Sequence, residues 1–355
     1  MKKRKTLTKD FEQLVENNDT EAIKKVFEKC DINAYGGYYK GNALSFRLSE
    51  ELMTWLVENG ADVNYVDAYG YTALLHHAGS AWTEEQALTL VKLGADVHAT
   101  TDLYKTNALH YAVEAGNLNL VQRLLELGTD ISAPDWNGDT PLERAFLIAR
   151  GQYDFIRLEP VTKYLLSKGI PVTEKLQKYM KETAIEIEFH RNDLLENDLF
   201  TQEEADTALN SLYEQLHVTP VPRRKAYDGK TRIEVKEKTW QKQHEELWNL
   251  LVPGSGHTNT VQGEVIRISG KLSHEILDNG ACNWDQAFKE IAQALLAYTQ
   301  MGNPLPETEA AEVKQIIRSI KNAWEEELYR LSELSVKWVL LNPDPIALED
   351  VSYYR

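Results

Sequence analysis

The stretch Asn107–Ser132 reads NALHYAVEAGNLNLVQRLLELGTDIS and contains two apolar runs at helical spacing. Leu109 and Ala112 share one face of the first run, as the spacing of an amphipathic helix requires. Gly128 follows the second run, where a residue in the left-handed conformation commonly ends a helix. Two such short helices cannot bury their apolar faces alone, so the stretch predicts neighbours of the same kind.

Two motifs of this stretch recur along the first half of the chain. The glycine motif appears as ENGADVN, KLGADVH, ELGTDIS and SKGIPVT, with glycines spaced 34, 34 and 41 residues apart. The leucine motif appears as NALSF, TALLH, NALHYA and TPLERA, with leucines spaced 30, 35 and 33 residues apart. Because both motifs recur in step, the sequence predicts a stack of helical repeats.

This pattern resembles the ankyrin repeat, in which a β-turn and T-P-L-H-x-A open one helix and G-A-D-V-N closes a second. The resemblance covers roughly residues 10–173, with about five units of which the first and last are atypical. It implies an all-α solenoid with projecting turns, here called fingers, that binds other proteins.

The resemblance places the variable positions of each unit in the fingers, around D-x-x-G. Tyrosine and tryptophan give large contact area at low entropy cost, so the finger aromatics are predicted partner-binding residues. The alternative is that individual rings stack on the neighbouring finger. The predicted residues, with Leu103 and Asn137 beside them, are Tyr38, Tyr39, Tyr69, Tyr71, Tyr104 and Trp136.

Two further sets of residues in the repeats are predicted to be structural. Aspartates favour turns because their side chains accept hydrogen bonds from nearby backbone N–H groups. Histidines at the T-P-L-H position can hydrogen-bond neighbouring loops. These residues are Asp67, Asp102 and Asp135, and His76, His77 and His110.

After residue 173 the repeat pattern stops. Residues 174–235 are predicted to be a helical connector and linker, with a capping box from Thr201 to Glu204 and a solvated basic cluster at 223–225. Residues 236–355 are predicted to form a bundle of about four helices, one of them spanning 307–341 with Trp324 in its core. The fold class is therefore all-α, a solenoid followed by a helical bundle.

The stretch 252–285 combines glycines, histidines and charges, but it lacks the G-K-[ST] of a phosphate loop. We interpret it as helix starts at Asn259 with Gln262 and at Asn283 with Gln286, with Thr258 and Thr260 as alternative caps. Gly263 and Gly270 suggest close approach of another helix. The segments LWNLLVPGSG, TVQGEVIR and NGACNWD resemble an uncharacterised bacterial helical domain, which implies no activity.

A charged stripe follows the same helix, between two apolar faces. Three interpretations remain open: an ion-pair network with pairs such as Glu264 with Arg267 and Lys271 with Glu275, an anion-binding groove, or an acid–base pair of a glutamate with His257 or His274. No third or fourth ligand accompanies His274 and Asp278, so no metal site is predicted. The candidate groove residues are Glu264, Arg267, Lys271, His274 and Glu275.

The net charge of −16 argues against a general nucleic-acid binder and is compatible with a basic protein partner, although acidity also simply keeps proteins soluble. Cys30 and Cys282 form no disulfide or zinc pattern and are predicted to be buried. The N-terminus has no secretory pattern and no stretch approaches a membrane span, so we expect a cytoplasmic protein.

The sequence therefore predicts a non-enzymatic, cofactor-free protein that binds another protein through its fingers and concave face. A concrete version is a bacterial immunity-type protein that neutralises or scaffolds its partner. One alternative is a ligand sensor or enzyme that uses the charged groove of the C-terminal bundle. Another is a scaffold with two surfaces for two partners.

Overall fold

The helices of the repeats begin where polar side chains cap them. A computed structural model of the protein describes residues 3–149, 154–195 and 201–355. The Thr72 hydroxyl accepts a hydrogen bond from Leu75 N, and the Asn107 side chain accepts one from His110 N. Thr140 and Glu143 form a full capping box. These contacts satisfy backbone N–H groups that have no partner within the helix, which fixes each first turn.

The repeat helices are short and pack in pairs, as α4 does with α5 and α6 with α7. In the second repeat the first helix is reduced to a 3₁₀ turn, Ala43–Ser45. The α-helices are α1 (Phe11–Glu16), α2 (Thr20–Lys29), α3 (Glu50–Glu58), α4 (Ala73–Ala78), α5 (Glu84–Lys92), α6 (Ala108–Glu114), α7 (Leu118–Glu126), α8 (Pro141–Ile148) and α9 (Asp154–Ser167). Two longer helices follow, α10 (Glu174–Leu195) and α11 (Gln202–Gln215), and the predicted Thr201–Glu204 capping box starts α11.

Glycines and asparagines connect one repeat to the next. Gly60 and Gly94 have φ of 92° and 94°, a backbone conformation that favours glycine at the end of a helix. The Asn33 side chain accepts a hydrogen bond from Asp62 N at 2.7 Å, and Asn64 does the same for Asp96 N at 2.7 Å. The repeats are therefore joined by side-chain-to-backbone bonds as well as by apolar packing.

The first repeat contains a short pair of parallel β-strands that the all-α prediction did not include. Strand β1 (Arg4–Thr6) pairs with β2 (Cys30–Tyr35), which follows α2 directly. Cys30 is fully buried here, as predicted, and its thiol donates to the Thr6 carbonyl. The pair covers the start of the solenoid, where an end unit needs a polar outer face.

The described residues form two compact units. The first comprises residues 3–187 and 201–221, and the second comprises 188–195 and 222–355. Helices of adjacent repeats pack together in the first unit, as α6 does with α4 and α8.

Residues 236–355, all of which are described, form five α-helices rather than four. They are α12 (Trp240–Leu251), α13 (Val261–Leu277), α14 (Gln286–Tyr298), α15 (Glu307–Ser319) and α16 (Glu325–Leu341). Helix α13 packs against α12, α14 and α16, and its residues 261–269 are all buried. This central helix carries the charged stripe.

The prediction of one continuous helix over 307–341 was wrong. A 3₁₀ turn, Ile320–Asn322, separates α15 from α16, and Trp324 is 76% exposed at the start of α16 instead of lying in its core. The backbone N–H of Trp324 donates to the Glu327 carboxylate at 2.9 Å. Helical periodicity continues across this break, so the apolar pattern alone gave no sign of it.

Two predicted helix starts also need correction. The cap of α13 is Thr260, one of the alternatives, because its hydroxyl accepts from Gly263 N at 3.2 Å. Gln262 is fully buried and bonds instead to the backbone of Asn342, Asp344 and Ile346. The cap of α14 is Asp285, whose carboxylate accepts from Phe288 N at 3.1 Å.

Two side chains lie in surroundings other than those predicted. Cys282 is exposed, not buried. Arg224 is not simply solvated, since its Nε donates to the Asn249 carbonyl at 2.9 Å at the end of α12. Among the described residues, no helix combines the length and apolarity that crossing a membrane requires.

Candidate partner-binding surface

The second finger (residues 67–71) and the fourth finger (residues 135–139) are closed by aspartates, as predicted. One Asp67 carboxylate oxygen accepts hydrogen bonds from Tyr69 N and Tyr71 N at 2.8 and 2.9 Å. Asp135 makes the equivalent bonds to Asn137 N and Asp139 N at 2.8 and 2.9 Å. These carboxylates are buried and serve the turn, so their role is structural.

The third finger (residues 101–106) closes differently, and the prediction that Asp102 has a structural role in the turn was wrong. Thr101 N donates to the Thr106 carbonyl at 2.8 Å, and the two hydroxyls are 2.8 Å apart. Asp102 lies one residue further along and is exposed. The finger is one residue longer than its neighbours between the bonded positions, so Thr101 replaces aspartate as the closing residue.

Main-chain hydrogen bonds tie the fingers together in pairs. Ala68 N donates to the Tyr39 carbonyl at 3.1 Å, and Trp136 N donates to the Tyr104 carbonyl at 2.9 Å. The first finger is thus fixed to the second and the third to the fourth. Both bonds use backbone groups at the finger tips, so the side chains there take no part in them.

Most predicted finger aromatics project into solvent. Tyr38 is 77% exposed, Trp136 62%, Tyr69 54%, Tyr39 49% and Tyr104 41%. Leu103, between these aromatics in the row of fingers, is 73% exposed. Successive fingers therefore expose a row of large aromatic and apolar side chains.

Three of these rings also contact one another. The Tyr38 and Tyr69 rings stack with centroids 5.8 Å apart and planes at 14°, and the Tyr39 ring meets both edge-on. The ring-on-finger stacking that the sequence left open therefore occurs between the first two fingers. It coexists with exposure, because each ring keeps about half or more of its surface in water.

Tyr71 lies apart from this row. It is half-buried, its hydroxyl accepts a hydrogen bond from the Tyr111 hydroxyl at 3.2 Å, and its ring stacks on His76. Burial raises the pKa of Tyr111, which keeps that phenol protonated as the donor. Tyr71 therefore connects its own repeat to the next one through Tyr111.

The three repeat histidines make structural contacts. His76 Nε2 lies 2.7 Å from the Asp67 carboxylate, and His77 Nε2 lies 2.9 Å from the Leu44 carbonyl of the preceding unit. Burial lowers the pKa of His77 and of His110 to about 4, so both are neutral at physiological pH. No cluster of three metal-binding side chains occurs within 3–149, 154–195 and 201–355.

Comparison with known families agrees with this geometry. Residues 90–145 match a family model described as ankyrin repeats, in many copies. The chain therefore contains ankyrin repeats. The matched region includes the third and fourth fingers with Leu103, Tyr104 and Trp136. A comparison with curated proteins gave no match. Ankyrin repeats bind other proteins, so the chain contains a protein–protein interaction module.

Outside the ankyrin repeats, the charged stripe of α13 centres on Glu264, which is fully buried. Its carboxylate accepts from Arg267 Nε at 2.8 Å, from the Tyr353 hydroxyl at 2.8 Å and from Thr258 N at 3.3 Å, and His257 Nδ1 lies 3.0 Å away. Burial alone would raise the pKa of Glu264, but the Arg267 guanidinium and the other donors outweigh it and lower the pKa to about 2. Glu264 is therefore ionised, and its carboxylate oxygens accept several hydrogen bonds.

Arg267 is enclosed rather than open to a groove. It is 1% exposed, pairs with Glu264 through Nε and Nη2, and donates from Nη2 to the Arg355 carbonyl at 2.7 Å. His257 Nδ1 lies 3.0 Å from the Glu264 carboxylate and 3.1 Å from Arg267 Nη2, so it contacts both members of the ion pair. The predicted acid–base pair of Glu264 with His257 is thus in contact, but the carboxylate also accepts hydrogen bonds from Arg267, Tyr353 and Thr258.

The rest of the stripe separates into different contacts. Lys271 is half-buried, and burial followed by the nearby Arg267 charge lowers its pKa. The structure contains no Lys271–Glu275 pair among the described ion pairs, because Glu275 instead accepts from Asn283 N at 2.6 Å and from the Asn279 side chain at 3.1 Å. His274 pairs with Asp278 at 2.8 Å on the exposed side.

The two glycines of α13 allow close approach, each in its own way. A Cβ at Gly270 would lie 2.5 Å from Cζ3 of Trp248 on α12, so the predicted close packing of a second helix is present there. A Cβ at Gly263 would meet Thr258 at 2.8 Å, which belongs to the loop before the helix. The stretch 252–285 is thus built around packing and internal ion pairing.

Proposed function

We propose that the protein binds another protein through the exposed row of its ankyrin fingers, formed by Tyr38, Tyr39, Tyr69, Leu103, Tyr104 and Trp136. The observation that carries this proposal is the exposure of aromatic side chains on fingers tied together by main-chain bonds. Aromatic anchors on fingers that are fixed in pairs lose little entropy on binding, which favours affinity. Tyr71 serves as a support that connects its own repeat to the next one.

The partner is a basic protein. This rests on the net charge of −16 of the whole chain and on long-range attraction. The finger tips themselves are mixed, since exposed Asp102 lies between Lys40 and Lys105 in the row. Electrostatics therefore acts mainly on the association rate, and the association rate constant should fall as salt is added while dissociation changes little.

The function proposed is that of an immunity-type or scaffolding protein of a bacterial cytoplasm, without catalysis of its own. In this proposal Glu264 and Arg267 have a structural role, since both are buried and bond to each other, to Tyr353 and to the Arg355 carbonyl. The groove alternative needs those groups to reach a substrate. For neutralisation, co-expression of the protein should restore growth of cells that produce a toxic partner.

The test is a quantitative capture experiment that compares a triple variant of the fingers with a double control variant. The finger variant carries Tyr69→Ala, Tyr104→Ala and Trp136→Ala, and the control carries Trp324→Ala and Tyr354→Ala. The control residues are 76% and 78% exposed and lie outside the fingers, so they match the loss of exposed aromatic surface.

Each interface anchor contributes about 1–2 kcal/mol or more when truncated, so the finger variant should weaken binding of a captured partner at least about a hundredfold. The control should bind like the unmodified protein. An unchanged partner set and affinity for the finger variant would refute the finger surface. Equal losses in both variants would show non-specific adhesion of aromatic side chains instead.

A further inference from the structure

The second unit contains a shallow cavity between α14, the end of α15 and the 3₁₀ turn that follows it. Its volume is about 410 Å³, within the range of small-molecule sites. The apolar part of its wall comes from Trp284, Ala292, Ile317 and Ile320. None of these residues belongs to the charged stripe or to the ankyrin fingers.

All charged side chains that line this cavity are positive. They are Lys289 on α14, Arg318 in the last turn of α15 and Lys321 in the 3₁₀ turn, and all three are exposed. Arg318 compensates the negative end of the α15 dipole, so Lys289 and Lys321 supply the excess positive charge. The whole chain has a net charge of −16, so the charged lining of this cavity has the opposite sign to the protein as a whole.

These three cations form no ion pair within the described parts of the chain, unlike other cations of the same unit. Arg330 contacts three glutamates, Lys337 pairs with Glu309, and Arg355 pairs with Asp285. The cavity therefore keeps cationic groups available that the surrounding helices do not neutralise.

The aromatic wall is held in a fixed orientation. The Trp284 ring stacks on Phe288 with centroids 5.4 Å apart and planes at 12°, and the Arg355 guanidinium lies 4.4 Å from the Phe288 ring centroid. Two carboxylates adjoin the lining in sequence, Asp285 after Trp284 and Glu290 after Lys289, and neither lines the cavity. Asp285 accepts hydrogen bonds from Arg355 at 2.9 Å and from Phe288 N at 3.1 Å, so its charge is already compensated.

We propose that this cavity binds a small organic anion with a planar apolar body, the body against Trp284 and the anionic group toward Lys289, Arg318 and Lys321. The shared chemistry is an aromatic ring that carries a phosphate or a carboxylate. The cavity and the finger surface share no residues.

Isothermal titration of the full chain tests this with four probes: adenosine 5′-monophosphate, adenosine, inorganic phosphate and 1-naphthoate. The aromatic anions should bind saturably and more tightly than adenosine or phosphate alone, and their binding should weaken with added salt. Binding of the nucleotide alone identifies a phosphate ligand, and binding of naphthoate alone identifies a carboxylate ligand.

The variant Lys289→Gln, Arg318→Gln, Lys321→Gln should weaken binding about tenfold or more, since each exposed charge contributes modestly. Trp284→Leu should remove the advantage of the aromatic anions over phosphate. Lys314→Gln is the matched control, because Lys314 is an exposed cation on α15 that does not line the cavity. The proposal is overturned if neither aromatic anion binds at millimolar concentration, or if Lys314→Gln weakens binding as much as the triple variant.

Discussion

Replacing Glu264 by glutamine gives the sharpest test of how the second unit is held together. The substitution keeps the shape of the side chain, removes its charge and places an NH₂ group where an acceptor is needed. Arg267 and His257 then lose their carboxylate partner while remaining packed around it. A buried guanidinium without its counter-charge is strongly unfavourable.

Two independent magnitudes converge on the cost. Lowering the pKa of Glu264 from 4.5 to about 2 corresponds to about 3 kcal/mol of stabilisation of the ionised form in the folded state. Breaking a buried ion pair by removal of one partner typically costs about 3–5 kcal/mol. We therefore expect Glu264→Gln to lower the free energy of unfolding of the second unit by about 3 kcal/mol.

The assay combines urea unfolding with hydrogen exchange read by mass spectrometry. Peptides from α13, Val261–Leu277, should exchange faster in the variant, while peptides from the ankyrin repeats should not change. Glu290→Gln is the control, since Glu290 is exposed on α14 and the same chemical change there should cost less than about 0.5 kcal/mol. A loss below about 1 kcal/mol for Glu264→Gln would refute the view of Glu264 as the centre of this unit.

Two further predictions concern acid and the fingers. Because the folded-state pKa of Glu264 is depressed, its contribution to stability is complete above about pH 4.5 and is lost as the pH falls toward 2, so Glu264→Gln should flatten the loss of stability over that range in acid titrations followed by circular dichroism. Asp67→Ala should lower stability by about 1–2 kcal/mol because two backbone N–H groups lose their acceptor, whereas Asp102→Ala should cost less than about 0.5 kcal/mol by thermal unfolding. Equal losses for the two aspartates would contradict the different closure of the third finger.

The repeat half could be predicted because its signals are local. A capping residue such as Thr140 and a helix-ending glycine such as Gly128 each act within one turn of chain, and the same pair of signals recurs in step. The exposure of Tyr38 and Trp136 also follows from their place in a finger. In the third finger Thr101 stands where the neighbouring fingers have the closing aspartate, so the predicted role of Asp102 was wrong.

The second unit was harder to predict because its decisive contacts join distant residues. Tyr353 reaches Glu264 across 89 positions, and Gln262 bonds to the backbone at Asn342, so a helix-start pattern at Asn259–Gln262 was misleading. The glutamate–arginine pair was visible at i,i+3 spacing, but its complete burial was not. The cationic cavity has the same character, because Lys289 and Arg318 come together only through the packing of α14 on α15.

The main-chain ties between fingers separate what the fold requires from what recognition requires. Residue 39 contributes its carbonyl and residues 68 and 136 contribute their N–H groups, so almost any amino acid except proline at 68 and 136 satisfies these bonds. The side chains at Tyr39 and Trp136 can then be exchanged without moving the loops that display them. Natural variation could retarget such a surface in single substitutions, and a library randomised at the finger tips would keep a constant frame while sampling new partners.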